Sequence, residues 1–316
     1  MINDLNKLPS YDTLILRLYA EDVPDVLLLH EIPQYLHGRG KYCPEEFKNK
    51  FSVYGHLKNL RIKITSDYIE IDGSISKWYL GNNIQHLSLS DMKKCVEKLS
   101  SELHLPIEKA RVKRFDLSSC LVMKHEADLY LTLLGRHGRV FPRHEPDGIY
   151  YDLSENDQLL FYDKTVESKG MVPEEYEGYN LLRYEKRFYN TGIRLENLYD
   201  MNYYICFVKD WIEKYNDIVK INNITLDCDL IKGTESLKAT GVLTLVALMG
   251  GLLKIEQQIN DNKKMRKLTS KQAHDILNYL ESLNNAKSGI VTINPLISEL
   301  NETIESISSI LSSNFY

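Results

Sequence analysis

No P-loop, no G-x-G-x-x-G turn and no G-x-S-x-G elbow occurs in these 316 residues, which disfavours a nucleotide-driven motor and a serine hydrolase. Cysteine is scarce. Cys43, Cys95, Cys120, Cys206 and Cys228 stand far apart with no C-x-x-C pair, and none of the nine histidines forms H-x-H or H-E-x-x-H. A structural zinc site is therefore not expected, and the thiols read as free groups in a reducing compartment. Long apolar runs are missing too. The longest candidate, Val242 to Met249, stops at Gly250-Gly251 and is too short to span a bilayer. The opening MINDLNKLPSYD has neither the charged start nor the apolar core of a signal peptide. The expectation is a cytoplasmic protein with no membrane partner. Positive charge is not in excess either: 39 Lys and Arg face 44 Asp and Glu, for a net charge of −5. That argues against indiscriminate nucleic-acid binding, although local clustering can still build a basic surface. Clusters of that kind occur at His56 to Lys63, Lys109 to Arg114 and Arg136 to His144.

What is present is alternation. Apolar residues recur every second position at Leu60, Ile62 and Ile64, and again at Ile69 and Ile71 beyond a Thr-Ser-Asp turn, which predicts a hairpin with one polar face. Further strands are predicted over 11–18, 110–123, 158–165 and 180–189. Ser90 is read as the cap of a helix carrying Met92, Val96, Leu99 and Leu103 at helical spacing. A proline-broken helix is read within 21–36, and Lys77 to Asn83 as a closing turn. Beyond about residue 195 strand signals fade, and helices are predicted over 202–216, 234–260, 270–285 and 294–312. Strands joined by hairpins and long loops favour an α+β fold with an antiparallel sheet flanked by helices. The expected division is a sheet-containing domain over 1–195 and a helical region over 196–316 serving DNA binding or oligomerisation.

Three segments gather polar groups inside strand-like runs. VKRFDLSSC holds Arg114 and Asp116, LLFYDKTVE holds Tyr162, Lys164 and Glu167, and NLLRYEKRF holds Arg183, Glu185 and Arg187. Residues two apart on a strand share a face, so Asp116 lies with Arg114 and Ser118, Glu185 with Arg183 and Arg187, and Tyr162 with Lys164. Carboxylates are hard ligands for Mg2+ or Mn2+, arginines grip phosphates bidentately, and a lysine beside a tyrosine favours the phenolate. Together these are the parts of metal-assisted phosphoryl transfer through a tyrosine nucleophile. Spacing alone more readily describes cross-strand ion pairs on a solvated face and a half-buried strand tyrosine with a snorkelling lysine. By strict alternation Glu167 falls on the face opposite Tyr162, and it joins the others only if the strand ends or bulges near Val166.

Taken in order, DTLILRL, IEIDGSISKWYLGNN, VKRFDLSS, LLFYDKTVE and LLRYEKRF resemble the phage and plasmid replication initiators of the gene II/X family, over about residues 11–190. That resemblance implies a rolling-circle initiator that nicks one strand of origin DNA, becomes joined to the 5′-phosphate through a tyrosine, leaves a 3′-hydroxyl for priming and later rejoins the ends. It places Tyr162 on the nucleophile with Lys164 beside it, and Asp116, Glu167 and Glu185 on the acidic positions expected to hold Mg2+ or Mn2+. Arg114, Arg183, Arg187, Arg136, Arg139 and Lys113 are the candidate DNA contacts. Origin DNA, a host helicase and polymerase, and a second copy of the chain are the implied partners. The His-hydrophobe-His metal motif of the wider nicking superfamily is absent. The other reading is a non-catalytic origin-binding or regulatory protein on the same scaffold.

Overall fold

A computed structural model describes residues 7–25, 29, 31–41, 52–169, 171–224, 231–284 and 291–315. Ten strands build its centre. They are β1 (Ser10–Tyr19), β2 (His37–Lys41), β3 (Ser52–Leu57), β4 (Leu60–Thr65), β5 (Tyr68–Ser74), β6 (Arg111–Met123), β8 (Arg143–Glu145), β9 (Gly148–Ser154), β10 (Asp157–Asp163) and β11 (Asn180–Tyr189), while β7 (Leu134–His137) stands outside their sheet. They form one antiparallel sheet in the order β2-β3-β4-β5-β1-β6-β11-β10-β9-β8. Three short helices punctuate it: α1 (Ile75–Leu80) after β5, α3 (Ala127–Leu131) after β6 and α4 (Lys164–Glu167) after β10. The fold is α+β, as the alternation predicts, and β11 spans the predicted 180–189.

The sheet is one connectivity used twice. After β1 the chain meanders through β2, β3, β4 and β5, and β5 returns to pair with β1. After β6 it meanders through β8, β9, β10 and β11, and β11 returns to pair with β6. β1 and β6 pair antiparallel in the middle, so the two five-stranded units are related by a local two-fold. The sequence keeps one trace of this. Tyr11-Asp12 in β1 and Phe115-Asp116 in β6 each send a fully buried ring to one face, 5.7 Å apart and edge-to-face. Both carboxylates turn to the other face.

One face of the sheet is covered. α2 (Leu89–Leu103) buries Met92, Cys95, Val96, Leu99 and Leu103, and α5 (Met201–Asn216) buries Tyr204, Ile205, Val208, Trp211 and Tyr215 in the same core. α9 (Pro295–Phe315) adds Leu300, Ile304, Ile307 and Leu311 to it, so the main core runs past residue 195. Phe161 stacks on Tyr184 at 4.3 Å, and the Tyr184 hydroxyl donates to the Trp211 carbonyl at 2.8 Å. Alternate residues of β10 and β11 are thereby clamped to α5, which fixes the residues between them on the opposite face.

Several local expectations change. α2 is capped by Ser88 rather than Ser90: the Ser88 hydroxyl accepts from the Asp91 backbone N–H at 3.1 Å and donates to its carboxylate. Lys77 lies not in a turn but in α1, which Ser74 caps and Gly81 ends at φ 85. The single helix expected over 234–260 is two, α6 (Thr234–Leu248) and α7 (Leu252–Lys264), bent by 87° where Gly250 and Gly251 adopt φ 95 and 96. With α8 (Ser270–Leu283) they form a smaller core of Val246, Leu252, Ile259, Ala273, Leu277 and Leu280. The proline-broken helix read within 21–36 falls partly outside the described residues; its described ends are 3-10 turns, Ala20–Asp22 and Ile32–Tyr35. Among the described residues no single helix is long and apolar enough to cross a membrane.

Candidate active site

The opposite face of β6, β11 and β10 carries the polar residues, and Ile84 and Tyr176 pack over its Cys120–Leu181 end. Register sets Asp116 opposite Arg187, Ser118 opposite Glu185, Cys120 opposite Arg183, and Arg183 opposite Tyr162. Asp116 and Glu185 are therefore diagonal neighbours on adjacent strands. Both are almost fully buried, at 1% and 4% exposure. Arg114 grips Asp116 with two hydrogen bonds of 2.7 and 2.5 Å. Arg187 donates to Glu185 at 2.7 Å and lies 3.8 Å from Asp116. Burial first, and the Glu185 charge second, push the Asp116 carboxyl up to about 8, against the pull of the two arginines. Between these acids the buried Ser118 hydroxyl has no hydrogen-bond partner among the described residues.

Tyr162 is half-buried near the end of β10. Burial holds its phenol well above 10, with Arg183 pulling it down and Glu185 and Asp12 pushing it up. The resting side chain is therefore the neutral phenol. The strand ends one residue later. Asp163 caps α4, accepting from the Val166 backbone N–H at 2.9 Å. Lys164 is thus a buried helical residue rather than a strand neighbour of Tyr162, and its ammonium lies 5.8 Å from the Tyr162 ring centre while pairing with Glu167. The helix brings Glu167 back to Lys164, but half-exposed.

Asp12 is the residue that sequence reasoning missed. A bulge in β1 between Tyr11 and Leu14 turns it onto this face. There it accepts from Arg183 at 2.6 Å, from the Asn83 side chain at 3.1 Å and from the Ser74 hydroxyl. Arg183, 2% exposed, also donates to the Asn83 carbonyl at 2.5 Å and to the Cys120 sulfur at 3.1 Å. It is a strut beneath Tyr162, not the free phosphate contact that the sequence suggests. Arg136 is likewise corrected. It is 4% exposed and held by Glu281 at 2.5 Å and Glu256 at 3.4 Å, anchoring α7 and α8 to β7. Arg139 is exposed, Lys113 half-exposed, and Arg114 and Arg187 are about one-fifth exposed.

Against this geometry stands one finding about kinship. Residues 11–214, more than half of the chain, match the family model for the N-terminal region of a phage replication-associated protein. The chain belongs to this family. No curated protein matches the sequence. The matched span of this replication-associated protein takes in the ten-stranded sheet and most of α5. All the residues of the polar face fall within it, and α6 to α9 lie beyond.

Whether the site fits a divalent cation turns on its donors. Among the described residues no three His, Cys, Asp or Glu side chains cluster so as to hold a metal ion, so Glu167 does not complete a three-acid set with Asp116 and Glu185. The two buried acids, with the unpartnered Ser118 hydroxyl between them, are hard oxygen donors pressed together at electrostatic cost. Magnesium commonly takes one or two carboxylates and fills its remaining positions with water and substrate phosphate. Two carboxylates and a hydroxyl are a donor set of that kind, and in this structure Arg114 and Arg187 hold both carboxylates.

The position of Tyr162 also depends on a neighbour without a side chain. A Cβ on Gly148 would stand 2.3 Å from the Phe161 carbonyl oxygen and 2.8 Å from the Tyr162 Cβ. The first contact is backbone and cannot swing aside. Gly148→Ala is expected to cost about 1–3 kcal/mol in urea unfolding, because β9 must move off β10. A variant as stable as the parent would show that the approach is not tight.

Proposed function

We propose that this protein is a DNA-nicking and rejoining initiator of rolling-circle replication, in the manner of the gene II/X initiators. The observation that carries the proposal is the placement, on one sheet face, of Tyr162, a buried acid pair whose Glu185 neighbours it diagonally, and arginines able to meet phosphate, in a chain of a replication-associated family. The Tyr162 phenolic oxygen forms a bond to the scissile phosphorus as the P–O3′ bond breaks. The proton lost from Tyr162 is balanced by the one gained at the 3′-hydroxyl. Lys164, 5.8 Å from the ring centre, favours negative charge on the phenolate and on the phosphoryl oxygens. Asp116 and Glu185 would hold Mg2+ or Mn2+, which when bound withdraws charge from the scissile phosphate. Arg114 and Arg187, released from those acids, would orient the phosphate, and Arg183 with Asp12 keeps the strand under Tyr162 in place. Glu167, paired with Lys164, sets the position of that ammonium. The cut needs no ATP, because the phosphotyrosine bond keeps the energy of the broken diester for rejoining.

The proposal is tested with supercoiled plasmid bearing the cognate origin. With Mg2+ or Mn2+ the protein should give open circles with protein joined to the 5′ end, and chelation should stop the reaction. Plasmid left supercoiled with both metals would leave only the non-catalytic, origin-binding reading.

A further inference from the structure

The polar face continues beyond the candidate active site across the other five-stranded unit, where the residues differ in kind. Tyr54 on β3, Lys63 on β4, Tyr68 on β5, Arg17 and Tyr19 on β1 and Arg111 on β6 form an unbroken ladder. Lys63 lies 5.9 Å from the Tyr54 ring centre and 5.6 Å from that of Tyr68. Arg17 lies 4.2 Å over Tyr68, Tyr68 meets Tyr19 edge-to-face at 6.5 Å, and Arg111 lies 5.6 Å from Tyr19. All six are half-exposed or exposed, while the residues alternating with them, such as Leu16, Leu18, Ile62, Ile64 and Ile69, are buried.

We infer that this ladder is a track for single-stranded DNA flanking the cleaved phosphate. Charge complementarity identifies the occupant. In a chain of net charge −5, Arg17, Arg61, Lys63 and Arg111 outnumber Glu70 and Asp72 on this face, and those two acids are already paired with Arg17 and Arg61. Tyrosine faces interleaved with cations are what an unpaired strand uses, bases stacking on rings while phosphates meet the charges. A closed duplex hides its base faces and gains nothing from the rings. From Cys120, level with Arg183 and Tyr162, to Arg111, level with Arg17, β6 rises nine residues, or about 30 Å. The track is therefore distant from Tyr162 but adjoins the acid pair at Arg114, which pairs with Ile15 two residues from Arg17, so that one bound strand can reach both. It rests on the proposed nicking role only for the identity of the DNA.

The test measures binding without cutting. In metal-free buffer with a chelator, anisotropy of a labelled single-stranded oligonucleotide is compared with that of its duplex. Lys63→Gln should make the salt dependence shallower by about 0.7 in log–log slope, and Tyr68→Leu with Lys63→Gln should weaken single-strand binding about tenfold or more. Lys238→Gln, an exposed charge on α6, should change neither. Lys63→Gln sits on a solvated strand face, so it stays informative even if the tyrosine variant folds poorly. Unchanged single-strand affinity in both variants, or an equal loss for duplex, would overturn the track. Nicking by the parent with unchanged binding in the variants would overturn the track alone and leave the proposed function standing.

Discussion

Tyr162→Phe is expected to remove both open circles and covalent adduct, a loss of at least about 10^4-fold on the scale seen when a nucleophile is deleted. The substitution takes away one oxygen and keeps the ring that packs beside Gly148 and Lys164. Origin binding and the urea midpoint should therefore stay near those of the parent. The informative rival is Tyr150. It lies on β9 opposite Leu160, whose other register partner is Glu185, so it shares the face of Tyr162. Its hydroxyl donates to Asp147 at 2.7 Å, and burial together with that acid pushes it up to about 12. An adduct that survives Tyr162→Phe and disappears in Tyr150→Phe would move the nucleophile one strand over. An adduct lost in Tyr162→Phe and kept in Tyr150→Phe assigns it to Tyr162.

The second large effect is on stability. Asp12→Ala should cost about 3–5 kcal/mol, because it leaves the Arg183 guanidinium buried without its counter-charge. Asp12 and Arg183 are 4% and 2% exposed and 2.6 Å apart, so water cannot replace the lost partner. The double variant Asp12→Leu, Arg183→Met should recover much of the loss, since two apolar side chains remove the charge along with its partner. Urea unfolding measures both. A single-variant cost below about 1 kcal/mol, the range of an exposed pair, would mean that the strut is solvated.

Tyr162 and Asp12 differ in how far the sequence discloses them. β6 and β11 are legible because alternation survives along them: Phe115 and Leu117 face the core while Asp116 and Ser118 do not, and Tyr184 alternates with Arg183 and Glu185. Their register then follows from pairing, and Asp116 comes beside Glu185. Asp12 is hidden by a bulge. The buried apolar positions of β1 run 11, 14, 16 and 18, and the gap of three at its start is the one sign that an extra residue has been inserted and a carboxylate turned over. Glu167 is misjudged for a related reason, since its placement depends on Asp163 ending the strand through a cap that alternation does not see. The inward turn of Arg136 depends on Glu256 and Glu281, more than a hundred residues later in the chain. No local pattern carries that information. The break between α6 and α7 was written in Gly250-Gly251, but their flanks share one apolar texture and read as continuous.

The doubled connectivity of the sheet has a consequence for how such a chain can change over time. Equivalent strands of the two units no longer carry equivalent residues: acids, arginines and Tyr162 occupy one half, and cations alternating with tyrosine rings occupy the other. The halves meet through the β1–β6 ladder and through Asp12 of β1, which pairs with Arg183 of β11. Tyr162 stands level with Cys120, about 30 Å along β6 from Arg111 and Arg17, beyond the roughly 7–10 Å over which substitutions usually couple. Substitution at Tyr68 or Lys63 is thus expected to act independently of substitution at Tyr162. A lineage built on this frame can drift toward new DNA while its bond-breaking residues stay under separate selection.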